Sequence, residues 1–182
     1  MPIIICSAPA ALTADITEAS SSSLLAVTNA VNLTDGVDGL NGSVSGIILL
    51  GLAIIAFRRG YPELGLLLLT MVGSCIGFLR FNFHPAKVFM GDTGSLFLGG
   101  IMGAVAIYMK IPLLLPFIAI IPVCETLCVI LQVLSVQIRR KKLFKMSPLH
   151  HHLELSGWRE NRVVVLFSTI TIVVSLISIF IV

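Results

Sequence analysis

Apolar residues run along this chain in long blocks, and short polar connections separate them. Stretches with few or no charges occupy Val44–Phe57, Leu64–Leu79, Thr93–Met109, Ile111–Ile138 and Val163–Val182. A helix needs roughly 20 apolar residues to cross the hydrocarbon core, and fewer where polar or glycine-rich residues finish the crossing at the interface. The blocks therefore predict an all-α, polytopic transmembrane helical protein with about five spanning helices. Leu24–Val31 is mostly apolar but too short to span alone, and predicts a partial N-terminal helix. Ahead of it, Ala8–Ser23 is dominated by Ala, Ser and Thr and interrupted by Asp15 and Glu18. Residues 1–23 read as an atypical small-residue, polar lead-in, and residues 24–182 as a single transmembrane domain with no internal repeat or Pro/Gly linker.

Composition agrees with the pattern and narrows the class. The chain is 57% hydrophobic and 12% charged, with mean hydropathy +1.04, whereas soluble domains average about 45–50% apolar and about 25% charged. A nucleic-acid module, a disulfide-stapled secreted domain and a disordered tail are excluded. No Lys or Arg precedes Arg58, so the first segment lacks the basic region of a signal peptide. Cys124 and Cys128 lie one helical turn apart inside an apolar block, where a thiol is ordinarily a small core residue. Cys6 and Cys75 are isolated, and none of the four cysteines is assigned to a disulfide or to zinc.

Placing the charges gives a topology. If each block crosses once, one face holds Asn29–Ser43, Arg80–Asp92 and Arg139–Arg162, with Arg80, Lys87, Arg139, Arg140, Lys141, Lys142, Lys145, Arg159 and Arg162. The other face holds only Arg58, Arg59 and Lys110. The excess of basic residues makes the first face cytoplasmic. The three connections richest in Asp, Asn, His and Gly all fall on that same face, which points to one shared site.

The first connection reads N-A-V-N-L-T-D-G-V-D-G-L-N-G over Asn29–Gly42. Asp35 and Asp38 are three apart and share a side if the segment is helical. Carboxylates beside a bilayer are costly unless solvated, paired or bound to a cation; an ordinary interfacial loop with Asx turns is the plainer alternative. The second connection, F-L-R-F-N-F-H-P-A-K-V-F-M-G-D-T-G-S-L over Phe78–Leu96, carries Asp92 where an apolar block resumes. Asp92 suits either a helix cap or a hard divalent cation such as Mg²⁺. Phe89 offers a ring for stacking a base or for anchoring at the interface. The third connection runs R-R-K-K-L-F-K-M-S-P-L-H-H-H-L-E-L-S-G-W over Arg139–Trp158. Three adjacent histidines point in different directions and do not match zinc-ligand spacing. Beside a basic patch they suit hydrogen bonding to a polyanion such as diphosphate. Glu125 and Gln132, seven apart on one helical face, are the polar residues at depth, and serve either function or helix-to-helix hydrogen bonding.

At these three motifs the sequence resembles the polyprenyl-phosphate N-acetylhexosamine-1-phosphate transferases. N-A-V-N-L-T-D-G-x-D-G-L, F-N-x-x-P-A-x-V-F-M-G-D-T-G-S-L and P-L-H-H-H-x-E occur in family order, from Thr28 to the C-terminus. The unbroken triplet followed by Leu and Glu resembles the branch that acts on MurNAc-pentapeptide. The resemblance implies transfer of phospho-MurNAc-pentapeptide from UDP-MurNAc-pentapeptide to undecaprenyl phosphate, giving lipid I and UMP in peptidoglycan biosynthesis, with Mg²⁺. It implies catalytic roles for Asp35, Asp38 and Asp92, with Asp92 as the metal ligand. It implies substrate contacts from Asn32, Asn82, Phe89, Gln132, His150, His151 and His152. It further implies a bacterial cytoplasmic (inner) membrane location with the site facing the cytoplasm, the lipid bilayer as surroundings, and a homodimer. One family feature is missing: the chain has four Asp (Asp15, Asp35, Asp38 and Asp92), and no two are adjacent, whereas the family carries an Asp-Asp pair on an earlier connection. The expectation is therefore a C-terminal half of the transferase that lacks turnover alone. The competing class is a non-enzymatic membrane scaffold or a cation transporter using Glu125, Asp92 and the histidines.

Overall fold

The computed structural model describes residues 22–182, and the regular elements among them are all helices, with no strand. The lead-in expected over residues 1–23 lies outside the described residues except for its last two, which already belong to helix α1, residues 22–33. Seven further helices follow: α2 Leu40–Arg58, α3 Pro62–Asn82, α4 Gly91–Tyr108, α5 Leu115–Ile118, α6 Ile120–Arg139, α7 Leu149–Glu154 and α8 Glu160–Ile181. Four of them, α2, α3, α6 and α8, are long and apolar enough to cross a membrane.

Helix α2 is the axis of the bundle. Leu40, Val44, Ile48, Leu49, Leu52, Ala53, Ile55 and Ala56 are all fully buried, and a helix that is apolar all round belongs inside a protein or a membrane. It packs against α3 and α8 and, more lightly, against α4. Its end is closed by backbone: the Tyr61 N–H reaches back to the Ala56 carbonyl at 2.9 Å and the Gly60 N–H to that of Phe57 at 3.2 Å. Pro62 then opens α3, where a missing N–H costs nothing.

Helix α4 has 18 residues and a polar first turn containing Asp92, yet it runs between the same two ends as its neighbours. Its first turn meets α1, because Asn32 reaches Asp92. At its far end, the Met109 carbonyl accepts a hydrogen bond from Arg59 at 3.1 Å. Tyr108 packs edge-on against Tyr61 there, with ring centroids 5.8 Å apart. Arg58 at that end donates to the carbonyl of Ile179 near the end of α8. The connection after α2, the end of α4 and the end of α8 thus share one pole, as the alternation of connections requires. At about 27 Å (eighteen residues at 1.5 Å each), α4 covers nearly a full hydrocarbon thickness.

The apolar block Ile111–Ile138 is not one helix. It divides at Ala119 (φ −88°, ψ 36°) into the short α5 and the longer α6. Pro116 and Pro122 each sit in the first turn of the helix that follows, the position where proline's missing donor is tolerated. The outward faces of α3, α6 and α8 present Leu66, Ile76, Ile130, Val165 and Phe180 to the surroundings, an apolar belt too extensive for a soluble surface.

Candidate active site

The pole opposite Arg58 and Arg59 gathers the three polar connections. Asn32, on the last turn of α1, donates through Nδ2 to Asp92 Oδ1 at 3.0 Å and to Ser95 Oγ at 2.8 Å. Ser95 is fully buried, so this side-chain bridge fixes the start of α4 against the end of α1. The second connection is tied to the first by Asn82. Its Oδ1 accepts the Gly39 N–H at 3.0 Å and its Nδ2 donates to the Val88 carbonyl at 2.8 Å. Asp38 adds a third tie by accepting the Ala86 N–H at 3.0 Å through Oδ2.

These ties enclose a cavity of about 240 Å³ lined by Asn32, Asp35, Gly36, Val37, Asp38, Asn82, Phe89, Gly91 and Asp92. Six of the ten residues singled out from the sequence line it. Phe89 is 73% exposed at its rim, with its ring free to stack on a planar ligand. Burial, above all, pushes the Asp35 carboxyl above the ordinary carboxylate range, and Asp92 adds to the rise. Hydrogen bonds from the Asn41 side chain and the Gly91 backbone partly offset it. Among the described residues, no Lys or Arg forms an ion pair with Asp35, Asp38 or Asp92. Three carboxylates around one cavity, none paired with a Lys or Arg among the described residues, are a donor set that suits Mg²⁺, which takes one or two carboxylates and completes its shell with water and phosphate. Asp92 is exposed, and Asp35 and Asp38 face the same space.

The histidine triplet divides by position. His150 is 1% exposed. Its Nδ1 pairs with Glu125 Oε1 at 3.1 Å, and its Nε2 is buried without a hydrogen-bond partner. A Cβ on Gly36 would lie 2.3 Å from that Nε2, so the ring packs directly on the first connection. His150 therefore shapes the wall beside the cavity. His151 is half-buried and pairs through Nδ1 with Glu154 at 2.9 Å. His152 Nδ1 accepts the Lys145 N–H at 3.2 Å, and its ring meets Phe144 edge-on.

Glu125 and Gln132 serve the third connection from within α6. Glu125 is fully buried and accepts the backbone N–H groups of Leu149 and His150 at 2.6 and 3.3 Å. These are the first donors of α7, which have no partner within their own helix. Gln132 Oε1 accepts the Leu143 and Phe144 N–H groups at 3.1 and 2.9 Å, and its Nε2 donates to the Phe144 carbonyl at 3.2 Å. Its amide is occupied by the chain and lies away from the cavity. Ser95 and His84 also belong to this face, and neither stands out in the sequence pattern as a site residue. Ser95 is one turn beyond Asp92 and was legible as its neighbour, whereas the contacts of His84 arise only from tertiary folding.

The comparisons agree with the geometry. Residues 18–110 match the family described as Glycosyl transferase family 4. The phospho-N-acetylmuramoyl-pentapeptide-transferase of Clostridium kluyveri is 51% identical over 153 residues, covering 84% of this chain and 48% of that protein. The enzymes of that name from Acetivibrio thermocellus and Moorella thermoacetica are 51% and 49% identical over 158 and 157 residues. Each alignment covers 86% of this chain, and 48% and 49% of the respective relative. The chain spans about half the length of the curated relatives it matches. With the matched segment running from α1 through the cavity to the end of α4, the chain belongs to Glycosyl transferase family 4.

Proposed function

We propose that this chain carries the nucleotide- and cation-binding part of a phospho-N-acetylmuramoyl-pentapeptide transferase. The reaction is transfer of phospho-MurNAc-pentapeptide from UDP-MurNAc-pentapeptide to undecaprenyl phosphate, giving lipid I and UMP at the cytoplasmic face of the bacterial inner membrane. The observation that carries the reading is the cavity between α1 and α4, where Asn32, Asp35, Asp38, Asn82, Phe89 and Asp92 meet.

Phosphoryl transfer between two anions asks for charge neutralisation and alignment more than for covalent chemistry. A Mg²⁺ on Asp92 would supply the neutralisation at the diphosphate. Asn32 orients Asp92 through its hydrogen bond. Asp35 resists ionisation in the bare cavity, a cost that a bound cation relieves. The Phe89 ring takes the uracil face. Asn82 and the buried Glu125–His150 pair keep the three connections in register, and His151 and His152 would supply imidazole contacts to the diphosphate. The acceptor phosphate is already ionised at neutral pH, so Asp35 and Asp38 act by position and field. A homodimer is the assembly the reading implies. The transporter alternative is disfavoured, because Glu125 and Gln132, the polar groups at depth, are engaged by backbone.

Binding of UDP-MurNAc-pentapeptide to the chain in lipid nanodiscs, titrated with and without Mg²⁺, tests the reading. Asp92→Asn is expected to weaken the Mg²⁺-dependent binding at least tenfold, by loss of a charged ligand; unchanged affinity overturns it. The chain alone, lacking adjacent aspartates, is expected to release no UMP with both substrates present, and robust release would overturn that expectation.

A further inference from the structure

We propose that Asp38, His84 and Glu160 form a binding site for a borderline divalent metal of the zinc class, separate from the Asp92 cation position. The three residues come from three different connections: the loop before α2, the loop before α4 and the first turn of α8. His84 Nδ1 lies 3.2 Å from Asp38 Oδ2 and 3.2 Å from Glu160 Oε2, and all three ligand atoms fall within 4.8 Å of one another. Ligand atoms on a tetrahedral zinc shell with bonds of about 2.0 Å sit about 3.3 Å apart. Both distances from His84 Nδ1 are close to that spacing.

The bare arrangement leaves electrostatics unfinished. Two carboxylates converge on one imidazole nitrogen, which carries at most one proton. Among the described residues, no Lys or Arg pairs with either acid. A divalent ion satisfies both carboxylates and uses the nitrogen lone pair. One nitrogen and two oxygens select zinc, cobalt or nickel over magnesium, because imidazole suits the borderline metals. The Ala86 N–H holds Asp38 Oδ2 at 3.0 Å, the outer-shell support that orients a ligating carboxylate.

Access is open. The His84 and Glu160 side chains are 46% and 38% exposed. They line a polar cavity of about 430 Å³ with Glu154, Trp158, Arg159 and Asn161. Three protein ligands beside such a space leave a fourth position for water or an anion. Asp38 also lines the smaller cavity, so an ion here ties α8 to the first connection and takes up one carboxylate of the neighbouring site. The metal site does not depend on the transferase reading, and its test reads binding directly.

Zn²⁺ titration of the whole chain in nanodiscs, followed by calorimetry and by Co²⁺ visible absorption, decides it. One ion per chain is expected, undisplaced by millimolar Mg²⁺. The affinity is expected to fall at least tenfold in His84→Ala and in the isosteric Glu160→Gln, which preserves the fold. Wild-type affinity in Glu160→Gln overturns the assignment. So does loss of the ion in Asp92→Asn, or in the double variant His151→Ala, His152→Ala, since either would locate it elsewhere.

Discussion

Gly36 has no room for a methyl group. Its missing Cβ is where His150 Nε2 approaches, at 2.3 Å, and the His150 ring is held from behind by Glu125. Gly36→Ala is expected to cost about 1–3 kcal/mol through overpacking. In a double-mutant cycle with His150→Ala the penalty should shrink, because the clashing ring is gone. Denaturant or thermal unfolding in detergent measures both. Glu125→Ala should cost more, since it leaves the part-buried Leu149 and the buried His150 N–H groups at the start of α7 unpartnered, at up to about 1–3 kcal/mol each. The acidity of the first connection and the run of histidines were plain in the sequence. The use of Glu125 was not: its partners lie 24 and 25 residues away, and seven-residue spacing to Gln132 says only that the two share a helical face. Gln132 was legible as polar and buried but not as a clasp for the loop at 143–144, because a backbone partner leaves no mark on side-chain pattern.

Between elements, the contact of α1 with α4 is made backbone to backbone. A Cβ on Gly99 would stand 2.7 Å from the Cα of Thr28, and one and two turns earlier on α4 Ser95 and Asp92 hold Asn32. Gly99→Leu should therefore push α1 away and loosen the Asn32–Asp92 bond. The expected result is destabilisation of about 1–3 kcal/mol, with weakened Mg²⁺ binding measured in the same titration as Asp92→Asn. Block lengths in the sequence were enough to place α2, α3, α4 and α8 within a few residues. They failed at Ile111–Ile138, where the interruption falls at Ala119, an unremarkable residue between two prolines. An uninterrupted apolar run carries no periodicity change at such a break. The short α1 was anticipated as a partial helix over Leu24–Val31 and is observed over 22–33.

At the scale of the whole molecule, the two poles are chemically distinct. Arg58, Arg59 and Met109 mark one, and the acidic cavity with the histidine connection marks the other. Single cysteines replacing Lys87 and Lys141 are expected to react with an impermeant thiol reagent from the same side of a sealed vesicle, and one replacing Lys110 from the opposite side. Protection of position 141 while 87 reacts would break the arrangement. Charge counting foresaw this grouping because parity and basic bias are long-range properties that survive ignorance of packing. The hydrogen bonds that close the cavity do not, since each joins residues 43 to 63 apart.

The arginine anchors have a mechanical corollary. Because Arg58 and Arg59 grip the far ends of α8 and α4, the height of the carboxylate cluster above the opposite interface is set by a strut of fixed length: the 19 residues of α2, roughly 28 Å at 1.5 Å each. On the proposed transferase reading, a bilayer of matching thickness holds the cluster level with its headgroups, where a lipid-borne acceptor would reach it by sliding sideways. A thicker membrane draws the same cluster down toward hydrocarbon, or deforms to avoid doing so, and on that reading acyl-chain length would control how readily the acceptor docks.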